Sequence, residues 1–492
     1  MTKKILLSLL LFINYNGFSQ ETVNSFPIEL KTNRDVFQVV NDSTKQTAFF
    51  ISDRKKVTKY ILDEKMEIID SISSFRPDTK YKDILGFSKT KSVQTIYWSN
   101  KNKEKICAQS FNLQKRKVII TEYEIKVNSN PEKYIQVFSE NNKFYILTLI
   151  RDSNSLKLYE FNGNIFKEVN IDLSIFKLYK SNNETASIFK IFEKSIGDSN
   201  VFEESYKLPR ITSESPTSLT ESTKKTKCYS NSEEIIITLD LSDLVTQIIT
   251  INLKTFDAKL NNIEKPSLTS ISIDNVKSNS FIIEGKLLQL TLCENKMNLS
   301  LKDFNGTIIK EYIINENDKF KINNSGFIRQ NYMGSERELE TTSQFLRKIV
   351  RSNVGVSAYN LNGNYLLTLG SVSPERSYNG GGIGAMGGLA GMNNMQIAEG
   401  LKEANFFQPI NFVNINFYYY GTRRSISTDC LFDYNLNHID IKLQPLAFDK
   451  IAEFKKKYTQ IETETVFVVN KIYYFGYFST LLKKYVFKKF TD

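Results

Sequence analysis

Seven times along this chain an apolar run ends in a short polar turn, and a second apolar run follows at once. The clearest copies are Tyr159–Phe166 around Asn162-Gly163, Lys302–Ile309 around Asn305-Gly306 and Tyr359–Leu366 around Asn362-Gly363. Asn-Gly between alternating apolar runs is the strongest local hairpin signal, because a type I′ turn needs positive φ at both central residues. Looser copies turn at Asp63, Asn112, Asn252 and Asn437. The turns recur at a basic spacing of about 50 residues, room for one four-stranded sheet per repeat. A chain built this way must stack small β-sheets.

The third repeat displays the whole unit. Tyr134–Phe138, Phe144–Ile150, Leu156–Phe161 and 165–173 alternate as strands, with Asn141-Asn142 and Ser153–Ser155 as turns. The first repeat matches it with 36–40, 47–52, 57–62 and 66–72. Near the C-terminus, Val466–Val469, Ile472–Phe478 and Tyr485–Phe490 read as three strands lacking a fourth, while Phe26–Leu30 is a strand with no hairpin partner before it. Pairing the N-terminal strand into the last sheet would remove both free edges.

In architecture the chain resembles β-propellers, whose blades are four-stranded sheets. The resemblance implies an all-β fold with seven or eight blades, inserted loops and a short C-terminal-region helix. Seven indexed hairpins plus the composite sheet make eight; if one hairpin belongs to an insertion, seven. An open β-array or two smaller β-domains is the alternative. No blade carries a WD or kelch signature, so no family residue transfers to this chain.

Two stretches break the spacing, at about 174–226 and 371–405. The first holds a polar run, Pro209–Thr226, rich in Ser, Thr, Glu and Lys, that looks like an extended insertion, and a possible degenerate blade over Ile188–Tyr206. The helical periodicity of Pro445–Tyr458 predicts a helix packed on the outside of the sheets, with Lys455–Lys457 at its C-terminal end, where cations complement the helix dipole.

Residues 1–19 read as a cleaved secretory signal: Lys3 and Lys4, the apolar stretch Ile5–Ile13, then Gly17-Phe18-Ser19 before Gln20. Residues 20–492 then form one propeller domain. No later stretch is apolar enough to span a bilayer as a helix, which needs about 20 residues. These readings predict an exported protein, periplasmic or at the cell surface, with no transmembrane span after cleavage.

The formal net charge of +11 is spread thinly, and the densest groups are Lys455–Lys457 and Lys483-Lys484 with Lys488-Lys489. No basic stripe with interleaved aromatics appears on a nucleic-acid-binding module, so nucleic acid is not expected as a partner. Solvated faces account for these lysines, with attraction to an anionic surface or glycan as the sharper reading.

His438 is the only histidine, which rules out a multi-His metal site, and it sits in a hairpin turn. Four cysteines lie far apart without zinc spacing, and Cys228 with Cys293 is the pair that neighbouring repeats could bring together. Gly382, Gly384 and Gly387 spell G-x-G-x-x-G, but the preceding strand ends near Gly370 and the setting is all-β, which excludes a dinucleotide site. Soft apolar residues on that glycine-rich string, Met386, Leu389, Met392 and Met395, suit an adaptable partner contact. No catalytic, metal or cofactor residue is expected. A binding or scaffold protein of the bacterial envelope, with an envelope protein or glycan as partner, fits these features. A polysaccharide hydrolase or lyase with carboxylates at a propeller channel is the alternative, disfavoured by one histidine and the single Trp98.

Overall fold

The computed structural model describes residues 21–492 apart from 29–34, 42, 126–131, 196–207, 213–214, 269–275, 332–334, 374–412, 414–415, 418–419, 421–423 and 459. The architecture is all-β and propeller-like, a succession of small antiparallel sheets laid down mostly in chain order. The chain divides into two compact units, Met1–Ser73 with Pro445–Asp492, and Ser74–Gln444.

In the first unit, β2 (Asp35–Asn41), β3 (Gln46–Ser52), β4 (Lys56–Leu62) and β5 (Ile68–Phe75) form one four-stranded meander. The other sheet joins the two ends of the chain: β1 (Thr22–Pro27) pairs with β32 (Lys484–Phe490), followed by β31 (Ile472–Ser479) and β30 (Ile461–Val469). The pairing is antiparallel, with Phe26 opposite Tyr485 and Pro27 opposite Lys484. The expected composite sheet therefore exists, although its N-terminal strand starts earlier than Phe26. Its closure is hydrophobic. Phe26 packs on Tyr60, Tyr485 and Phe487 at ring-centroid distances of 5.7, 6.4 and 6.0 Å.

The helix near the C-terminus covers the other part of that sheet. Phe448, Ile451 and Phe454 of Ala447–Lys457 are buried, and the first and last of these meet Tyr473, Phe475, Tyr477 and Phe490. Residues 473, 475 and 477 alternate along β31, so one face of the strand receives the helix.

In the second unit the meanders are β6 (Asp83–Lys89) to β9 (Lys117–Glu124) through β7 (Val93–Ser99) and β8 (Lys105–Asn112); β10 (Glu132–Glu140), β11 (Lys143–Ile150), β12 (Ser155–Asn162) and β13 (Ile165–Asp172); and β21 (Lys277–Ile283), β22 (Lys286–Leu292), β23 (Lys296–Lys302) and β24 (Ile308–Asn315). A short pair, β14 (Leu178–Tyr179) and β15 (Thr185–Ala186), precedes a five-stranded sheet of β16 (Arg210–Ile211), β17 (Thr226–Ser230), β18 (Glu234–Leu239), β19 (Val245–Asn252) and β20 (Ala258–Glu264). The last sheet runs β26 (Glu336–Leu339), β25 (Phe327–Gln330), β29 (Ser425–Phe432), β28 (Asn364–Val372), β27 (Asn353–Leu361). Its order departs from the meander because the position beyond β29 is filled from elsewhere in the chain.

That sheet corrects the hairpin index. The Asn362-Gly363 turn joins the first and second strands of the sheet, and the turn before Asn437 follows the third, so both belong to one repeat. Seven sheets of four or five strands result among the described residues. The degenerate blade near Ile188 is instead a helix, Ile188–Ser195, whose Ile188, Phe189, Ile191 and Phe192 join the core shared by β10–β13 and β17–β19. Apolar residues at i, i+1, i+3 and i+4 make a helical face and cannot make a strand face.

The turns follow three chemistries rather than one. Asn362 and Gly363 have φ of 53° and 91° between the paired residues Leu361 and Asn364, the type I′ geometry. At Asn162 the central residues are Gly163-Asn164, and of these only Gly163 is left-handed (φ 60°), which is type II′. The third kind is headed by an acid or amide. Asp303 Oδ1 accepts from the backbone N–H of Asn305 and Thr307, both at 2.9 Å. Asp63 does the same for Lys65 and Glu67, and Asp433 for Asn437. The head of the last turn is thus Asp433, not Asn437. Its left-handed residue is Gly306 in the first copy, Met66 in the second and Leu436 in the third, the last two buried. A bulky residue at positive φ costs about 1 kcal/mol or more, which burying its side chain offsets.

Candidate functional site

Alternating strand directions give each sheet of the second unit two unlike ends. At one end lie the tight turns, among them 141–142, 163–164, 284–285 and 362–363. At the other end leave all three long excursions of this unit: 173–225 between β13 and β17, 316–352 between β24 and β27, and 373–424 between β28 and β29. Lys227 of β17 and Asn279 of β21 lie at the insertion end of their sheets and touch, so the ends of these neighbouring sheets coincide.

Beneath the insertions is a sealed charge cluster. Asp240, just beyond β18, is fully buried, as is Lys227, and their charged atoms are 3.4 Å apart. Lys265, just beyond β20, approaches Asp240 Oδ1 at 4.0 Å. The carboxylate accepts hydrogen bonds from Thr246 Oγ1 (2.7 Å), Ser280 Oγ (2.6 Å) and the Ser280 N–H (3.0 Å). Lys227 Nζ also donates to Asn279 Oδ1 at 2.8 Å, and Lys265 Nζ to the Asp240 carbonyl at 3.1 Å and Ser278 Oγ at 3.0 Å. Burial alone would raise the Asp240 carboxyl; Lys227, Lys265, Lys225 and the Ser280 hydroxyl outweigh it and hold the group below its ordinary range. One carboxylate cannot balance two buried ammonium groups, so burial pulls both Lys227 and Lys265 downward.

The cover over this cluster is the Pro209–Thr226 run. Although the run is polar in composition, its Ser215, Thr217, Ser218, Thr220, Ser222 and Thr223 are buried. β16 adds in parallel to β17, with Arg210 opposite Cys228. Arg210 pairs with Glu140 at 2.8 Å, and Gln136 Nε2 holds the Leu208 carbonyl at 2.6 Å. Beyond it, Ser218 caps the short helix Leu219–Ser222, and Asn279 Nδ2 donates to the carbonyls of Thr223 (2.9 Å) and Val354 (2.8 Å). Small hydroxyls make this burial possible because they bond to their own backbone: Ser222 Oγ to Leu219 O and Thr223 Oγ1 to Thr220 O. Gly355 leaves the space, since a Cβ there would stand 2.8 Å from Thr223 Cγ2. Asn416, at the far end of the 373–424 excursion, donates to Ser215 Oγ at 2.9 Å, so two insertions meet.

A buried acid, Glu132, and a half-buried one, Glu140, are likewise engaged. Glu132 receives Lys157 Nζ and Tyr159 Oη, both at 2.6 Å, and Glu140 takes Ser230 Oγ at 2.6 Å besides Arg210. Such groups brace the strands.

The sequence-derived candidates fall as follows. His438 bridges back to Phe432, and its Nε2 lies 3.0 Å from Asn324 Oδ1. The Asn324 amide nitrogen donates to the Ile439 and Ile441 carbonyls, which fixes its orientation and makes the histidine nitrogen the donor. This is a structural turn histidine. Cys228 and Cys293 do not pair: all four cysteines are free and buried. Cys293 Sγ instead reaches Asn295 Oδ1 at 3.0 Å in the β22–β23 turn, whereas Cys228 lies within β17. Burial pushes the Cys107 and Cys228 thiols up to about 12, far from a reactive thiolate. Met386, Leu389, Met392 and Met395, with the glycine motif, lie outside the described residues. Among the described residues no group of three or more His, Cys, Asp or Glu side chains could hold a metal ion, and no helix is long and apolar enough to cross a membrane.

The Lys227–Asp240–Lys265 cluster escaped the sequence reading. Asp240 looks like one more turn acid, and Lys227 like one more strand lysine. Only the apolar Ile235–Leu239 run leading into Asp240 hints at a buried partner.

No protein-family model matches the chain, and no curated protein matches it. Solved structures give slight likenesses. The Synechocystis apocarotenoid oxygenase aligns over 58% of this chain and 62% of its own, at 9% identity and TM-score 0.27. A prolyl endopeptidase covers 69% and 47% at 8% identity and TM-score 0.28, and AofleA from Arthrobotrys oligospora 71% and 83% at 9% and 0.23. The chain spans less than two thirds of the oxygenase, and none of these likenesses bears on function.

Proposed function

We propose that this chain is an exported binding or scaffold protein of the bacterial envelope, and that it takes its partner, an envelope protein or glycan, at the insertion-bearing end of the second unit. One observation supports this reading above others: all three long excursions of that unit leave at one end, while the other end keeps tight turns. Loops held by a rigid scaffold are where binding residues concentrate. The buried cluster under Pro209–Thr226 supplies such a base, because it ties three sheets to the cover on which the insertions meet. Met386, Leu389, Met392 and Met395 are the proposed contact residues on the 373–424 excursion.

Affinity capture from the native membrane fraction, with the intact chain and with residues 376–395 deleted, tests the proposal. The intact chain should retain a partner that the deletion loses about tenfold or more, the deletion melting as the parent does. Equal capture by both chains would contradict the role given to the four residues.

A further inference from the structure

The lysine groups that stood out in the sequence separate in space. Lys488 and Lys489 lie toward the far end of β32, where Lys488 reaches Thr22 Oγ1 and Lys489 pairs with Glu21. Lys483 and Lys484 occupy the β31–β32 turn at the opposite end, next to Leu481 and Leu482, which are 74% and 59% exposed. The turn is built to hold them out: Lys483 is left-handed (φ 55°), its N–H bonds the Ser479 carbonyl, and the Leu482 N–H bonds Ser479 Oγ.

Two further segments of the first unit lie at the same end as this tip. Thr480 N donates to the Gln460 carbonyl at 3.2 Å, bringing in the end of the Ala447–Lys457 helix, with exposed Lys456 and Tyr458. The β3–β4 turn, Arg54-Lys55-Lys56, lies at the same end of the unit. Toward the opposite end, Asn24, next in register after the Thr22–Lys488 pair, donates to the Met66 carbonyl in the β4–β5 turn at 2.6 Å; the two sheets therefore run the same way. Among the acids near this end, Asp53 accepts the Lys55 and Lys56 N–H groups, Glu464 and Glu453 pair with Lys455 and Lys457, and Glu462 is exposed on the adjoining strand.

We propose that this end of the first unit seats on an anionic lipid bilayer. Leu481 and Leu482 enter the interface, and Lys483, Lys484, Lys55 and Lys56 face the headgroups. Two adjacent exposed leucines are an unfavourable feature in water, whereas at a bilayer surface they become buried area. Flanking cations add attraction of about fivefold per lysine near an anionic membrane. Charge complementarity selects the occupant, since a neutral apolar partner would leave Lys483 and Lys484, which flank the leucines, without anions. The proposal stands apart from the partner-binding reading of the second unit, and vesicle binding and partner capture can fail separately.

Residues 20–492, purified without the apolar leader, are sedimented with vesicles of phosphatidylcholine containing one third phosphatidylglycerol, and with phosphatidylcholine alone. Binding should be at least tenfold tighter to the anionic vesicles and weaken as salt rises. Leu481→Ser/Leu482→Ser should weaken it about tenfold or more, and Lys483→Gln/Lys484→Gln by about twenty-fold, with melting curves unchanged because all four side chains are exposed. Equal binding to both vesicles, or no binding, would overturn the proposal. So would full retention by the leucine variant, which would make this a patch for soluble polyanions instead.

Discussion

Asp240→Asn should destabilise the second unit by roughly 3–5 kcal/mol, the cost of leaving a buried ion pair without one partner. The amide keeps the shape of the carboxylate but removes the charge that Lys227 and Lys265 share, and both ammonium groups are enclosed. Adding Lys227→Met should restore part of the loss, because it removes one stranded cation and leaves an apolar chain of similar length. Guanidinium denaturation of the four chains in the cycle gives the coupling directly. If Asp240→Asn unfolds at the parent's midpoint, the cluster does not hold the cover. The pH dependence follows from the same residue. The folded carboxyl lies below its ordinary range. Its contribution is therefore complete above the unfolded value near 4 and is lost as pH falls through the lower folded value. The parent should lose stability on acidification below about pH 4 more steeply than Asp240→Asn does.

Removal of β1 by deleting residues 21–28 should have a comparable effect on the first unit. The deletion takes away the ladder from Phe26 and its neighbours to β32, and the ring packing of Phe26 on Tyr60, Tyr485 and Phe487. Losing a buried phenylalanine alone costs about 3–5 kcal/mol. The bared edge of β32 should also promote association between chains. Calorimetry and light scattering on the truncated chain report both effects. An unchanged transition with no association would mean that residues 21–28 hang loosely on the sheet.

The two results concern features of very different visibility in the sequence. The terminal sheet was legible because Val466–Phe490 offers three alternating runs and Phe26 lies in a fourth with nowhere else to pair. Strand-forming runs between Asn-Gly or acid-headed turns carry their own periodicity, so most strands were within reach. The misread hairpin at Asn362 shows the limit of that signal. A turn motif marks a hairpin but not which pair of strands it joins, and β25 with His438 takes the place of an ordinary fourth strand. The burial of Pro209–Thr226 is not legible for a different reason. Its composition is hydroxyl-rich, and burial depends on Asn279, Gly355 and Asn416, each 56 or more positions away from the atoms it meets. The Asp240 cluster shares this dependence, for nothing local distinguishes a buried charge from a solvated one until its partners are assembled.

Site-specific photo-crosslinking most directly tests the claim that the second unit binds through its insertion-bearing end. A photoreactive residue at Arg351, which sits at that end beside Glu294, is compared with one at Lys254, in the tight turn between β19 and β20 at the other end. Both positions are exposed, so access to the reagent is matched. In the native membrane fraction, adducts are predicted from position 351 and not from position 254. Adducts from position 254 alone, or equally from both, would contradict the assignment of the binding end.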